Sequence, residues 1–193
     1  HGETWQLGHG PNEGRQTPEG ELDPQTFVDE TWSLHEAAVV ERQDGVLLLF
    51  MRNQHPRGRV AVSESHDAGQ TWGPIRFDEE LPEIWCQPNA ISLPAPEGED
   101  RIVFANASLM LPFRGCGVIR LSLDGGRTWK HSRTFNPGHY VYQCMCVLPD
   151  GRIGLLWENE CQGLYFSRLP LSWFDAGIEA IEPHTTADQD GCS

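Results

Sequence analysis

One eight-residue pattern occurs twice in this chain. Ser65-His66-Asp67-Ala68-Gly69-Gln70-Thr71-Trp72 and Ser122-Leu123-Asp124-Gly125-Gly126-Arg127-Thr128-Trp129 both read S-x-D-x-G-x-T-W. Five fixed positions match by chance with odds on the order of one in ten million per starting site. A repeat architecture therefore comes before any other reading. Each fixed residue has a structural task. The Asp and Ser side chains can bond backbone N–H groups of their own turn. The Gly supplies a positive φ. The Trp is expected to cover the loop and anchor it to a sheet. The pattern is thus predicted to be a hairpin clasp rather than a catalyst. Gly2-Glu3-Thr4-Trp5 repeats only its second half, and the matching Ser and Asp would precede residue 1. The chain is accordingly expected to be the C-terminal part of a longer protein.

Between the clasps the chain alternates strand and turn. Residues 39–52 read as a hairpin about Asp44-Gly45, residues 91–106 as a second about a Pro/Gly-rich turn, and residues 146–158 as a third about Asp150-Gly151. In the first two units a third strand follows (59–64 and 118–122), then the clasp, then a fourth strand. In the third unit residues 164–169 make the next strand and no clasp follows. Four short antiparallel strands per unit of about 55 residues is the pattern of a propeller blade. Residues 8–30, rich in Gly, Pro and acids, are expected to loop, and 176–193 to form a polar tail.

Composition narrows the function. Fourteen basic against 28 acidic residues give a net charge of −14, and Lys130 stands alone among 13 arginines. Nucleic-acid binding, which needs clustered basic residues, is disfavoured. No apolar run approaches the roughly 18 residues of a membrane-spanning helix. The six cysteines (86, 116, 144, 146, 161 and 192) show no zinc-like spacing. Their even count permits disulfides, but the spacing is not that of a stapled small domain. They are read as mostly buried free thiols. No cofactor and no metal site is indicated.

The clasp is the Asp-box, and in this strand context residues 1–175 resemble the sialidases, six-bladed β-propellers, of which about three and a half blades would be present. Four further matches carry the resemblance. His35-Glu36 precedes a strand, a D-G turn and a second strand ending in Arg52, where sialidases place a glutamate and an arginine. Phe113-Arg114 precedes the strand that leads into a box, where the family carries another arginine. Tyr142, in Val141-Tyr142-Gln143-Cys144-Met145, takes the place of the nucleophilic tyrosine, although Gln143 stands where the family usually has Ser. Ile153-Gly154-Leu155-Leu156-Trp157-Glu158 looks like the strand ending in an arginine-orienting glutamate.

The resemblance implies an exo-α-sialidase acting on sialylated glycans with retention, through a tyrosyl-linked intermediate. Sialic acid carries a carboxylate on its anomeric carbon. A carboxylate nucleophile about 4 Å from it would meet a repulsion of about 4 kcal/mol at an intermediate dielectric. A neutral Tyr hydroxyl avoids this, and a nearby Glu can take its proton. Tyr142 and Glu36 would fill these roles. Arg52 and Arg114 would bind the substrate carboxylate as planar, bidentate partners, and Glu158 would hold an arginine in place. Tyr140 is the rival tyrosine, and Arg57, Arg59 and Arg120 are rival arginines. The family's remaining arginine and its Asp general acid belong to the first blade, which would lie in the missing N-terminal half of the propeller. A non-catalytic Asp-box propeller that binds glycan or protein is the alternative.

Overall fold

The computed structural model describes residues 2–5, 7–22, 31–110, 112–159 and 162–175. A short hairpin, β1 (Gln16–Thr17) with β2 (Gly20–Glu21), precedes three antiparallel sheets. The first sheet runs in the order β3 (Leu34–Glu41), β4 (Leu47–Asn53), β5 (Arg59–Ser65), β6 (Arg76–Pro82). The second repeats that order with β7 (Asn89–Leu93), β8 (Arg101–Met110), β9 (Arg114–Ser122) and β10 (His131–His139). The third holds β11 (Gln143–Val147), β12 (Ile153–Glu158) and β13 (Leu164–Leu169), followed by a single 3₁₀ turn at Leu171–Trp173. The initial strands touch in succession, β3 against β7 and β7 against β11. Each sheet therefore begins on the strand that touches its neighbour's first strand and continues away from it, the strand order of a propeller blade.

Period-two alternation explains why the sheets stack. Leu48 and Phe50 of β4, Val60 and Val62 of β5, and Ala38 and Val40 of β3 turn one face of the first sheet toward Ala90, Ile102 and Phe104 of the second. On its other face the second sheet offers Leu93, Val103, Ala105, Ile119 and Leu121 to Met145, Ile153 and Leu155 of the third. The second sheet is buried on both faces, so β8 reads as the continuous apolar stretch Ile102-Val103-Phe104-Ala105 rather than as an alternation.

The two Asp-boxes join β5 to β6 and β9 to β10 with matching bonds. Ser65 Oγ donates to Asp67 Oδ1 at 2.8 Å, Gly69 N–H donates to Ser65 Oγ at 2.9 Å, and Thr71 gives Asp67 both its N–H (2.9 Å) and its hydroxyl (2.6 Å). The equivalent bonds about Asp124 are 2.7, 2.8, 2.9 and 2.7 Å. Gly69 and Gly126 take φ values of +85° and +78°, and Gly2 of the half-box takes +77°.

Each box tryptophan lies over its own loop: a Cβ built on Gly2, Gly69 or Gly126 would stand 3.9, 3.8 or 3.7 Å from Cζ2 of Trp5, Trp72 or Trp129. Trp129 is 4 % exposed and lies in the interface between the first two sheets. Its ring meets Phe50 and Phe104 at 5.9 and 5.6 Å between centroids, and its indole N–H contacts Asp78 Oδ2 at 3.4 Å. Trp5 of the half-box is 88 % exposed.

Two expectations are corrected. Within residues 8–30, expected to loop, β1 and β2 pair Gln16 with Glu21 and Thr17 with Gly20; residues 23–30 lie outside the described residues. The four described cysteines are free but not mostly buried. Cys86 is buried, Cys116 is half-buried, and Cys144 and Cys146 are exposed. The last two share one face of β11, as their spacing requires, but that face turns away from the second sheet. Cys161, Cys192 and the 176–193 tail lie outside the described residues.

A third apolar cluster, Cys86, Ala107, Tyr140 and Val141, sits near the strand ends opposite the Asp-boxes. Tyr140 is fully buried against Phe135 (4.9 Å) and Trp157 (6.0 Å). Gly117 is required beneath it, because a Cβ there would approach Phe135 Cζ to 2.7 Å and Tyr140 Cγ to 2.9 Å.

Two measurements check this account. Hydrogen bonds from Thr71 and Ser65 hold the Asp67 carboxyl down at about 2. Its stabilisation is therefore complete above the ordinary carboxylate range and is lost as pH falls through about 2. The difference in urea midpoint between wild type and Asp67→Asn should be widest above about pH 4 and close toward pH 2. The Tyr140 hydroxyl is buried without a hydrogen-bond partner. Tyr140→Phe should leave unfolding free energy unchanged or raise it by about 1 kcal/mol. A comparable loss would show that the hydroxyl is bonded.

Candidate functional site

The strand directions gather one set of residues at the end of the sheets opposite the Asp-boxes. Glu36 is near the start of β3, Arg52 near the end of β4, Arg114 at the start of β9, Tyr142 just before β11, and Glu158 at the end of β12. Ser65 and Ser122, which open the boxes, stand at the far ends of β5 and β9. The box aspartates are thus a strand length away from this set.

A register irregularity aims the first pair. Leu34 pairs with Asn53 and Ala37 with Met51, so His35 and Glu36 together oppose Arg52. This two-against-one bulge re-aims side chains at a sheet end. Arg52 Nη1 then donates to Glu36 Oε2 at 2.6 Å, with the arginine the more buried of the two. Burial alone would lower the Arg52 pKa, but Glu36 and the Tyr142 hydroxyl together raise it.

Arg114 approaches Tyr142 from the second sheet. Its Nη1 contacts the Tyr142 hydroxyl at 3.4 Å, and its guanidinium carbon lies 5.3 Å from the ring centroid, a cation–π distance. The same Nη1 contacts the Trp85 carbonyl at 3.4 Å. Burial again lowers the Arg114 pKa and Tyr142 counters it, with a net rise. Arg52, Arg114 and Tyr142 line one open cavity of about 340 Å³ together with Trp85, Met110 and Phe113.

Tyr142 is positioned by main chain. Its carbonyl accepts the Glu158 N–H at 3.1 Å, and the Val141 N–H donates to the Glu158 carbonyl at 3.2 Å. Glu158 is thus joined to the tyrosine through backbone. Among the described residues no hydrogen bond or ion pair joins its carboxylate to an arginine, and no hydrogen bond joins Glu36 directly to Tyr142; Arg52, bonded to Glu36, lines the same cavity as Tyr142. Gln143 has its own work: its Nε2 donates to the Gln87 carbonyl at 2.9 Å and the Ala105 carbonyl at 3.1 Å, tying β11 to the second sheet.

The rival residues are engaged elsewhere. Burial pushes the Tyr140 phenol well above its ordinary value, as suits a packing residue. Arg57 pairs with Glu79, Arg59 contacts the same carboxylate at 3.7 Å, and Arg120 is buried on Asn106 and Ser108. Among the described residues no group of three His, Cys, Asp or Glu side chains could hold a metal ion, and no helix is long and apolar enough to cross a membrane.

Sequence reasoning missed the apolar rim. Trp85, Met110 and Phe113 are 53 %, 45 % and 57 % exposed on the cavity wall. Trp85 also has φ +64°, a left-handed conformation that a bulky residue takes only when its surroundings impose it, at a cost of about 1–3 kcal/mol. No glycine or Asn-Gly signal in Pro82-Glu83-Ile84-Trp85-Cys86 announces that turn.

Comparison with known proteins identifies the family of the chain. The family model described as a BNR repeat-like domain matches residues 1–155. A sialidase of Micromonospora viridifaciens is 33 % identical over 193 residues, which cover 97 % of this chain and 26 % of the relative. A sialidase of Bacteroides fragilis is 30 % identical, covering 84 % of this chain and 35 % of the relative. The chain thus spans about a quarter to a third of these relatives. Among solved structures, the intramolecular trans-sialidase of Ruminococcus gnavus in complex with oseltamivir carboxylate is similar with a TM-score of 0.61 at 25 % identity, over 72 % of this chain and 33 % of that one. A Hadza microbial sialidase is similar with a TM-score of 0.57 at 29 % identity, over 72 % and 28 %. An all-β chain of stacked antiparallel sheets, carrying two Asp-boxes and matching that model over most of its length, belongs to the BNR repeat-like, sialidase family.

Proposed function

We propose that residues 1–175 form the C-terminal part, about three and a half blades, of a six-bladed propeller. The complete protein is an exo-α-sialidase that removes terminal sialic acid from glycans with retention. The observation that carries this reading is the gathering of two guanidiniums, Arg52 and Arg114, with one tyrosine on one open cavity, Arg114 Nη1 standing 3.4 Å from the Tyr142 hydroxyl.

The chemistry follows from the groups. Arg52 and Arg114 bind the substrate carboxylate, and each planar fork matches its two oxygens. This seats the anomeric carbon above Tyr142. Glu36, held beside the site by Arg52, takes the phenolic proton as Tyr142 Oη bonds to the anomeric carbon and the glycosidic oxygen leaves. The leaving oxygen takes its proton from a general acid contributed by another part of the complete protein. Water then attacks the anomeric carbon and gives its proton to the conjugate base of that same acid, the tyrosyl bond breaks, and Glu36 returns the phenolic proton to Tyr142. Two displacements at one carbon give retention. Glu158 anchors Tyr142 through backbone, by the bond from its N–H to the Tyr142 carbonyl.

In the full-length protein, Tyr142→Phe should lower kcat on a fluorogenic sialoside by more than about a hundredfold and leave KM within about threefold. Arg114→Ala should lower kcat/KM by at least about tenfold, the equivalent of one charge-assisted hydrogen bond. Unchanged turnover in Tyr142→Phe would remove Tyr142 from the mechanism. A wild-type protein that binds sialylated glycans without turnover would instead favour a glycan-binding propeller.

A further inference from the structure

Close to the cavity lies a carboxylate that the chemistry above does not use. Glu83 follows β6 and is only 5 % exposed. Its Oε1 accepts the Cys86 N–H at 2.8 Å, and the Trp85 and Ile84 amides also favour its charged form. Its Oε2 is buried without a hydrogen-bond partner. Its own N–H donates to the Gly58 carbonyl at 3.1 Å, which fixes the start of the turn. Arg52 from β4 and Cys86 from the same turn are the charged and titratable groups that act on it, and Arg114 from β9 acts on Cys86. Burial outweighs the amides and Arg52, and pushes the Glu83 carboxyl up to about 7.

A carboxylate in such a place opposes folding. What it holds is the segment Ile84-Trp85-Cys86, whose middle residue is left-handed and half exposed on the cavity wall. From the other side, Arg114 Nη1 contacts the Trp85 carbonyl. One turn is thus bonded to Glu83 on its inner side and to a cavity arginine on its outer side.

We propose that Glu83 is a positioning residue: its carboxylate clamps the Ile84–Cys86 turn and so sets Trp85 and Arg114 on the cavity wall. The functional consequence rests on the sialidase reading; the clamp itself does not. A charged acceptor holds amides more strongly than a neutral one, so the clamp is tight above about pH 7 and slackens below it.

The test uses the full-length protein and Glu83→Gln, which keeps size and one acceptor oxygen but removes the charge. Hydrogen exchange read by mass spectrometry should show residues 84–86 exchanging at least about tenfold faster than wild type near pH 8, with the gap closing near pH 5.5. With methylumbelliferyl α-sialoside as probe, Glu83→Gln should raise KM at least about fivefold near pH 8 and leave kcat within about twofold. The wild-type KM should rise as pH falls through about 7, and the variant's should be flat across that range. A merely structural role would lower the melting temperature and leave the two pH profiles parallel. Unchanged exchange at 84–86, or parallel profiles, overturns the proposal. If wild type turns over no sialoside while exchange behaves as expected, the sialidase reading fails and the clamp stands. Should Glu83→Gln not fold, wild type decides alone: protection of residues 84–86 must rise between about pH 5.5 and 8, and a flat value overturns the clamp.

Discussion

The contact on which the architecture depends is the wedge of Phe50, Phe104 and Trp129 between the first two sheets, with centroids 5.3 to 5.9 Å apart. A twisted four-stranded sheet cannot leave two apolar faces in water. Stacking is its way out, and aromatic rings bury the most surface per residue in doing so. The Asp-box delivers one of those rings. Its Asp and Ser tie the turn closed, and the closed turn points Trp129 across to the neighbouring sheet. The clasp and the interface between sheets are therefore one device, and the opposite strand ends are left free to carry chemistry.

Those free ends bring two arginines, Arg52 and Arg114, to one cavity of an acidic protein. The net charge of −14 repels an anionic ligand at long range. Under the proposed function, capture relies on short-range forks, which Arg52 and Arg114 would supply from different sheets. Convergence of groups from separate sheets makes the geometry depend on how the sheets stack. Gln143, bridging β11 to the Gln87 and Ala105 carbonyls, helps to set that stacking beside Tyr142.

Much of this was legible before any coordinates. The hairpins and the clasps are local, and local turn chemistry writes them into sequence: D-G at 44–45 and 150–151, and the fixed Ser, Asp and Gly of the boxes. Glu36, Arg52, Arg114, Tyr142 and Glu158 were legible only through resemblance to a family, since no spacing by itself marks a strand-end arginine as a ligand. What escaped is non-local. The β3 bulge that turns Glu36 to Arg52 depends on register with β4. The left-handed Trp85 and the burial of Glu83 depend on what surrounds a turn with no signature of its own. The outward face of Cys144 and Cys146 depends on which side of β11 meets the second sheet.

Under the proposed function, Tyr142 carries the sugar in the covalent intermediate. A fluorinated sialosyl fluoride, whose electron-poor ring slows breakdown of the glycosyl-enzyme, tests it in the full-length protein. After proteolysis, mass spectrometry should find the fluorosialosyl adduct on the peptide between Arg133 and Arg152, with fragmentation placing it on Tyr142. An adduct on Tyr140 or on a carboxylate, or turnover of the reagent with no covalent adduct at all, would contradict the account.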